Sequence, residues 1–358
     1  MDTPPTLSLS RSTFAKLSPH PYLVANLTGQ GRSKSNSSPA CCRTNGRTPQ
    51  QARPLQVHPS SLTHAHGSAL VRNGDTTVIC GVRAEILPVS NIPQYRPRSH
   101  GEVDSDSSSS SRELRDYDLL VPNIELATGC ATQFLPGVPP TTLAQTLSTR
   151  VYSLLHSCHL VDAADLRIWH NPKDSSSSEA ANAQDKMDED EDANSHKEED
   201  AEPQLMAYWV LYIDLLFVSF DGNPFDAAWT AVLAALHDTK LPSARWDPDR
   251  EMIVCSPPTR SLRLSGLPIA CTAAIFVEKE HGDTGGRHWI LLDPDRLEET
   301  LCREVVTMVV DCSDGETRVR AIEKHGGTVI GRELIRAFAG VAEKRWTEVQ
   351  KSAFLTDK

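Results

Sequence analysis

The chain has 358 residues, with 47 acidic against 36 basic side chains and a formal net charge of −11. That length carries two domains of ordinary size or one large one. The longest apolar stretch, residues 206–220, is broken by Asp214 and falls short of the roughly 20 residues a bilayer requires, which excludes a helical membrane span.

The acid surplus is local. Residues 171–203 hold twelve carboxylates and three lysines, so the other 325 residues sum to −2. The acidic isoelectric point therefore says nothing about the surface of the folded part. Arg11 and Lys16 are the only early cations and no apolar run follows them, so no secretory signal is expected. The nine cysteines are an odd number, contain no C-x-x-C pair and mostly have small or apolar neighbours. Such usage fits core thiols in a reducing compartment and excludes a disulfide scaffold or a zinc ribbon.

In chain order, residues 29–39 are rich in Gly and Ser, without periodicity, and are expected to be disordered. Residues 68–72 and 76–85 form two apolar-rich strands around Asn73-Gly74-Asp75. Asn-Gly there predicts a type I′ hairpin, whose two central positions both need φ > 0. Residues 99–111, with five successive serines beside Asp104 and Asp106, are expected to be a second disordered loop. Leu143, Leu147, Val151, Leu154, Leu155 and Cys158 recur at spacings of mostly four and three, which predicts an amphipathic helix over 141–158. A short strand over 166–170 precedes the acidic stretch 171–203, the third expected disordered loop. Residues 206–220, rich in aromatic and β-branched side chains, predict a long strand. Asn223-Pro224 then predicts a helix start, Asn as N-cap and Pro as first residue, with good helix formers over 227–236.

The second half begins with strands again. Residues 269–277 and 288–292 are joined by a Gly-rich turn at 282–286, and 304–312 and 317–323 by Ser313-Asp314-Gly315. Arg318, Arg320 and Glu323 among Val319, Ala321 and Ile322 suggest one wet face. Helix 332–354 carries Leu334, Ile335, Phe338, Val341, Trp346 and Val349 as its apolar stripe. Strands followed by helices, twice over, predict an α+β fold of two similar halves, each a mixed β-sheet packed with helices. The halves are placed at 17–245 and 246–354. Residues 29–39, 99–111 and 171–203 count as loop expansions within the first.

Three pieces in one order carry a resemblance: Arg43-Thr44-Asn45-Gly46-Arg47, then Arg53-Pro54, then 67–82 with Gly67-Ser68 and Gly74-Asp75-Thr76. Together they resemble the N-terminal signature of the RNase PH family, over about 17–354 apart from the three loops. Residues 18–23, 60–68, 221–228 and Leu292-Asp293-Pro294 are similar to its non-catalytic eukaryotic branch, the ring subunits of the RNA exosome core. The resemblance implies a six-membered ring of RNase PH-like subunits, cap proteins with OB-type and KH domains, and an associated processive nuclease. It implies single-stranded RNA as ligand, work in rRNA maturation and RNA turnover, and a place in nucleus, nucleolus and cytoplasm. No cofactor is expected.

Phosphorolysis needs a phosphate held for in-line attack, and arginine suits it because its fork matches two phosphate oxygens. By the resemblance, active members use arginines on the first long helix and a G-G-T-R-type turn. Here Phe225 stands where that arginine would be, Pro224 removes a backbone donor, and the helix keeps only Arg150. No catalytic residue is assigned, against the alternative of an active phosphate-dependent 3′–5′ exoribonuclease. A free RNA-binding module is the remaining rival.

Two groups could hold a metal. His64 and His66 lie two apart, yet lack a third ligand at a sensible spacing, so a packed or hydrogen-bonded pair is expected. Asp293, Asp295, Glu298 and Glu299 could bind magnesium; with Pro294 and Arg296 among them, a solvated loop and helix start is expected instead. No metal site is assigned. For RNA, Arg96 and Arg98 lie in a Pro-rich loop beside Tyr95, which the resemblance puts near the ring's pore. Arg47 and Arg53 of the signature are the further RNA candidates.

Overall fold

The structure is a computed structural model and describes residues 10–28, 42–93, 95–96, 107–170, 203–277, 288–302, 304–327 and 331–354. The loop 29–39 and the Gly-rich turn 282–286 lie outside these residues, as does all of 171–203 except Pro203.

The first sheet contains β1 (Leu55–Pro59), β2 (Gly67–Asn73), β3 (Thr76–Pro88), β4 (Leu120–Leu126), β5 (Arg167–His170) and β6 (Gln204–Ser219). Its order is β1-β2-β3-β6-β4, with β5 also on β6. Only β4 runs parallel to its neighbour. The long strand β6 is the hub. In its second half Ile213, Leu215 and Phe217 are buried while Asp214, Leu216 and Val218 are exposed, the alternation of a sheet covered on one side.

Two turns differ from expectation. The β2–β3 hairpin is where predicted, but Asn73 pairs with Thr76 as the last strand residue. Gly74 has φ +61 and Asp75 is not in the left-handed region, which fits a type II′ loop rather than I′. Residues 107–111 are not loop: helix α3 spans Ser107–Asp116. Leu114 and Glu113 just beyond the serines are buried. Ser110 is fixed as well, donating to Asp162 (2.8 Å) and accepting from the Ala163 amide (2.9 Å). These anchors offset the entropy that the serine run alone could not.

Before the first sheet come α1 (Arg11–Leu17) and α2 (Pro19–Thr28). Helix α4 (Thr142–Ser157) begins at Thr141, whose hydroxyl accepts from the Ala144 amide. A short α5 (Ala163–Leu166) leads into β5. Helix α6 (Pro224–Asp238) is buried on nearly every side, from Pro224 and Phe225 through Leu236. An all-round apolar helix is stable only when clamped on all sides. It lies on β2 and β3 and also on the second sheet, where the Trp229 indole donates to Pro268 O at 2.7 Å. At Gly67 an added Cβ would sit 2.3 Å from Thr239 Oγ1 and 2.5 Å from Ala235 O, so a side chain there would wedge α6 off β2.

A two-stranded ribbon, β7 (Lys240–Asp247) with β8 (Met252–Ser261), spans the expected 245/246 division. Its prolines hid it from pattern reading. Pro242 pairs with Thr259 and Ser243 with Ser256, so Pro257 and Pro258 stand in a bulge that needs no ladder donors.

The second sheet is β9 (Ile269–Val277), β10 (His288–Leu292), β11 (Glu304–Asp311) and β12 (Arg318–His325), antiparallel in the order β10-β9-β11-β12. Alternate residues divide its faces. Ile269, Cys271, Ala273 and Ile275 meet Phe338, Val341 and Trp346 of α8 (Arg332–Val349), while Ala274 and Phe276 lie under Leu23 and Leu27 of α2. Helix α7 (Arg296–Leu301) follows β10. The architecture is α+β as expected, with the first sheet mixed and the second antiparallel throughout.

Candidate functional site

Three stretches far apart in sequence converge: the arginine signature 43–53, the turn 221–226 that starts α6, and residues 292–299 leading from β10 into α7. The turn lies on the third stretch so closely that a Cβ on Gly222 (φ +79) would be 2.5 Å from the Arg296 nitrogen. Asp293 (φ 50) and Asn223 (φ 46) are both left-handed, a conformation that Asp and Asn tolerate better than most residues.

Asp293 is the focus. Its carboxylate accepts from Arg53 Nε (2.9 Å), Arg53 Nη2 (2.8 Å), the Arg53 amide (2.9 Å), Asn73 Nδ2 (3.1 Å) and Asn223 Nδ2 (2.7 Å). Burial alone would push its carboxyl up; the Arg53 hydrogen bonds and charge outweigh that and hold it well below the usual carboxylate range. Arg43, fully buried, donates from Nε to Glu298 Oε1 (2.7 Å) and from Nη2 to Glu298 Oε2. It also reaches the carbonyls of Gln51, Leu292 and Asp293. Arg47 stands over the same pair, 3.7 Å from Asp293 and 3.9 Å from Glu298, and its guanidinium is lowered by burial and by Arg43. Asp295 caps α7 in a reciprocal capping box with Glu298. Glu299 accepts from the Asn223 amide at 2.7 Å, and burial raises its carboxyl to about 7 against that bond.

A second chain of bonds runs from α4. Arg150 Nε donates to Glu323 at 2.5 Å and Nη2 to Thr307 Oγ1 at 3.1 Å, while its guanidinium lies 3.8 Å from the centre of the Phe225 ring. Thr307 and Thr272 hydroxyls are 3.0 Å apart, and Thr272 Oγ1 donates to Asp226 Oδ1 at 2.6 Å. With that proton committed to Asp226, Thr307 must be the donor to Thr272, so polarity runs one way from Arg150 to Asp226. Asp226 also accepts from the Thr272 amide and Asn223 Nδ2; its carboxyl is nonetheless raised by burial.

The outcome for the expected residues is mixed. Arg47 and Arg53 come together, but facing inward onto Asp293 and Glu298. Arg53 also donates to the carbonyls of Asp221 and Gly222, so its guanidinium is engaged within the chain, whereas Arg47 keeps a buried Nη2 without a hydrogen-bond partner. Arg96 is exposed beside Tyr95, whose ring packs on Tyr117 (6.2 Å) and through it on Tyr208 (5.4 Å). Arg98 lies outside the described residues. The solvated-loop expectation for 293–299 is corrected: Asp293 and Glu298 are buried and paired, because three arginines converge on them. Asn223 sits at the N-cap position but its side chain does not cap the helix, being spent on Asp226 and Asp293. His66 accepts the Ala84 amide on Nδ1 (3.1 Å), as a hydrogen-bonded histidine should. Among the described residues no three His, Cys, Asp or Glu side chains group as a metal site. Sequence reading missed Thr272 and Thr307, which sit at ordinary strand positions, and placed Glu323 only on a wet strand face, not as the partner of Arg150.

The comparisons with known proteins agree with this architecture. The model of the 3′ exoribonuclease family, domain 1 (RNase PH), matches residues 51–242, more than half of the chain. The chain belongs to the RNase PH family. It is 28% identical over 342 residues to the exosome complex component rrp43 of Schizosaccharomyces pombe, covering 95% of this chain and 97% of that one. It is 25% identical over 292 residues to the exosome complex component Rrp42 of Archaeoglobus fulgidus, covering 82% and 83%. Among solved structures, an Archaeoglobus fulgidus exosome with RNA bound to the active site matches at TM-score 0.58 and 21% identity, over 93% of this chain and 96% of that one. An archaeal exosome core matches at TM-score 0.56 and 20% identity, over 96% and 100%. At such identities the solved structures establish the shared RNase PH fold, as the signature residues led one to expect.

Two outcomes follow from the buried network. Asp293→Asn keeps the shape and tolerates the left-handed backbone but leaves buried Arg53 with only the part-exposed Asp221 carboxylate, 3.6 Å away, as counter-charge; a urea melt should show a loss of about 3 kcal/mol. A loss under about 1 kcal/mol would mean the pair is dispensable. For Glu299 the folded carboxyl titrates above its unfolded value of 4.5, so the native state binds the proton more tightly. Its stabilising contribution is complete below about pH 4.5 and is lost as pH rises through about 7. Glu299→Gln should therefore melt above wild type at pH 8 and close to it at pH 4; parallel melting curves across that range would contradict the assignment.

Proposed function

We propose that this chain is a non-catalytic ring subunit of an RNA exosome core. The observation that carries the reading is the state of Arg150. Its charge is met by Glu323, a second donor is used by Thr307, and Phe225 covers its face. An incoming phosphate would have to displace a carboxylate and intrude beneath an aromatic ring, with Pro224 offering no amide in compensation. Asp226 and Asp293, the nearby carboxylates, already accept three and five donors. Both carboxylates are thereby committed to the chain's own donors.

The ring role is supported by the similarity to named exosome components along nearly the whole chain. The partners in this reading are other RNase PH-like subunits in a six-membered ring, OB/KH-type cap proteins, an associated processive nuclease and single-stranded RNA. Nucleus, nucleolus and cytoplasm are where such a complex would work. Arg96 is the RNA contact that the geometry favours, an exposed cation beside a tyrosine stack, suited to sequence-independent contact with a single strand; Arg98 joins it by sequence alone.

The purified chain, given single-stranded RNA and inorganic phosphate, should release no nucleoside diphosphates. Release that disappears in an Arg150→Ala variant would overturn the non-catalytic reading. In the assembled complex, Arg96→Glu should weaken RNA protection equally for every sequence tested, with the deficit fading as salt rises. Unchanged protection at low salt would remove Arg96 from the RNA path.

A further inference from the structure

Asn-Gly occurs twice in the chain, at residues 45–46 and 73–74. An asparagine before glycine is open to attack by its own backbone, because a glycine amide without a Cβ beside it can approach the side-chain carbonyl closely. The fold treats the two pairs in opposite ways. Asn73 is held: it is 2% exposed, its Nδ2 donates to Asp293 (3.1 Å), and its backbone pairs with Thr76. The Gly74 amide donates to Pro54 O at 3.2 Å. The Arg53 side chain lies over Gly74, 2.4 Å from where a Cβ would stand. Amide and carbonyl there cannot turn toward each other without opening the Asp293 network.

Asn45, by contrast, is exposed in the turn between Arg43 and Arg47. Gly46 (φ +85) has nothing within 4 Å of where a Cβ would stand, and its amide is tied only to Arg43 O, at 3.1 Å. Asn45 Oδ1 accepts from the Arg47 amide (3.1 Å), which folds the side-chain carbonyl back over the turn and draws electrons from its carbon. Its Nδ2 donates to Asp295 Oδ2, also at 3.1 Å.

We infer that Asn45 is a self-modification site, converting spontaneously to aspartate and isoaspartate in the folded protein while Asn73 is protected. The Gly46 nitrogen bonds to Asn45 Cγ, its proton passes through water to Nδ2, and the Cγ–Nδ2 bond breaks to release ammonia. Water then opens the cyclic imide at either carbonyl, giving aspartate or, with the backbone rerouted through Cγ, isoaspartate. The consequence falls on the arginine signature. A carboxylate at this position sets a like charge against Asp295 where an N–H was donated. Isoaspartate lengthens the backbone between Arg43 and Arg47, a link spanned by the bond from the Arg43 amide to Arg47 O (2.8 Å). Both guanidiniums meet on Glu298, so ageing at residue 45 loosens their grip. This chemistry is independent of any ring role.

The full-length chain, aged in mildly alkaline buffer and digested, is followed by mass spectrometry with chromatographic separation of aspartate from isoaspartate. In native buffer residue 45 should convert at least about tenfold faster than residue 73, whose reaction must wait for the buried network to open. In urea the two should convert at similar rates. Equal native rates at the two positions, or residue 45 unchanged while the unfolded chain converts, overturns the inference. Aged wild type should also melt at lower temperature than fresh protein. Aged Asn45→Gln, whose longer side chain closes the ring less readily, should keep its starting value. Conversion at residue 45 with an unchanged melt would overturn the link to the arginine signature. The rates themselves need no variant, so a poorly folding Asn45→Gln leaves the test standing.

Discussion

Everything around the candidate site depends on one buried arrangement: two arginines near the start of the chain closed on two carboxylates near residue 295. Arg43 on Glu298 and Arg53 on Asp293 join segments some 240 to 255 residues apart. Taking four charges out of water is costly unless each hydrogen-bonding group is met. Here the five-donor shell of Asp293 and the carbonyls around Arg43 meet nearly all of them. The left-handed Asp293 is held on every polar group: its amide donates to Thr272 O, while its carbonyl and carboxylate accept from the arginine stretch 43–53.

The same closure sets the position of α6. Its first turn is pinned through Asn223 to Asp293 and Glu299, and its body is clamped between the two sheets. A helix with no polar face cannot slide toward solvent, so the two sheets and the loops at its start form one unit. This is why Phe225 and Asp226 arrive beside Arg150 and Thr272 with so little freedom. Position in the fold, rather than residue type alone, makes Arg150 a partner of Glu323.

The site is consequently a pair of directed hydrogen-bond chains. Donor polarity runs from Arg150 through Thr307 and Thr272 to Asp226, and separately from Arg53, Asn73 and Asn223 into Asp293. Most donors and acceptors here are used by the chain's own groups, with Arg47 Nη2, Asn73 Oδ1 and Asn223 Oδ1 as the buried atoms left without a partner. Membership of the family and this pairing are compatible: the residues that frame the fold are kept, while Arg150 is matched to Glu323 and Thr307. What the surface presents instead is an exposed cation beside stacked tyrosines.

The long elements were legible in the sequence because they depend on local period. Helices α4, α6 and α8 and strands β2, β3, β6, β9 and β11 follow from spacing and turn residues, and the ordered arginine signature was enough to name the family. Signals that are not periodic went unread: β4 with its Pro122 and Asn123, and β8 with two prolines in a bulge. The serine run misled for a related reason, since the anchors that order it, Leu114 and the Ser110–Asp162 bond, are supplied by neighbours in space. Arg47 and Arg53 stand out in the sequence as RNA candidates, yet in the fold they face inward onto carboxylates, because a sequence shows that a guanidinium exists but not which way it faces. That direction is decided by Asp293 and Glu298, some 240 residues further on, and a contact across that distance exists only once both sheets have closed around α6.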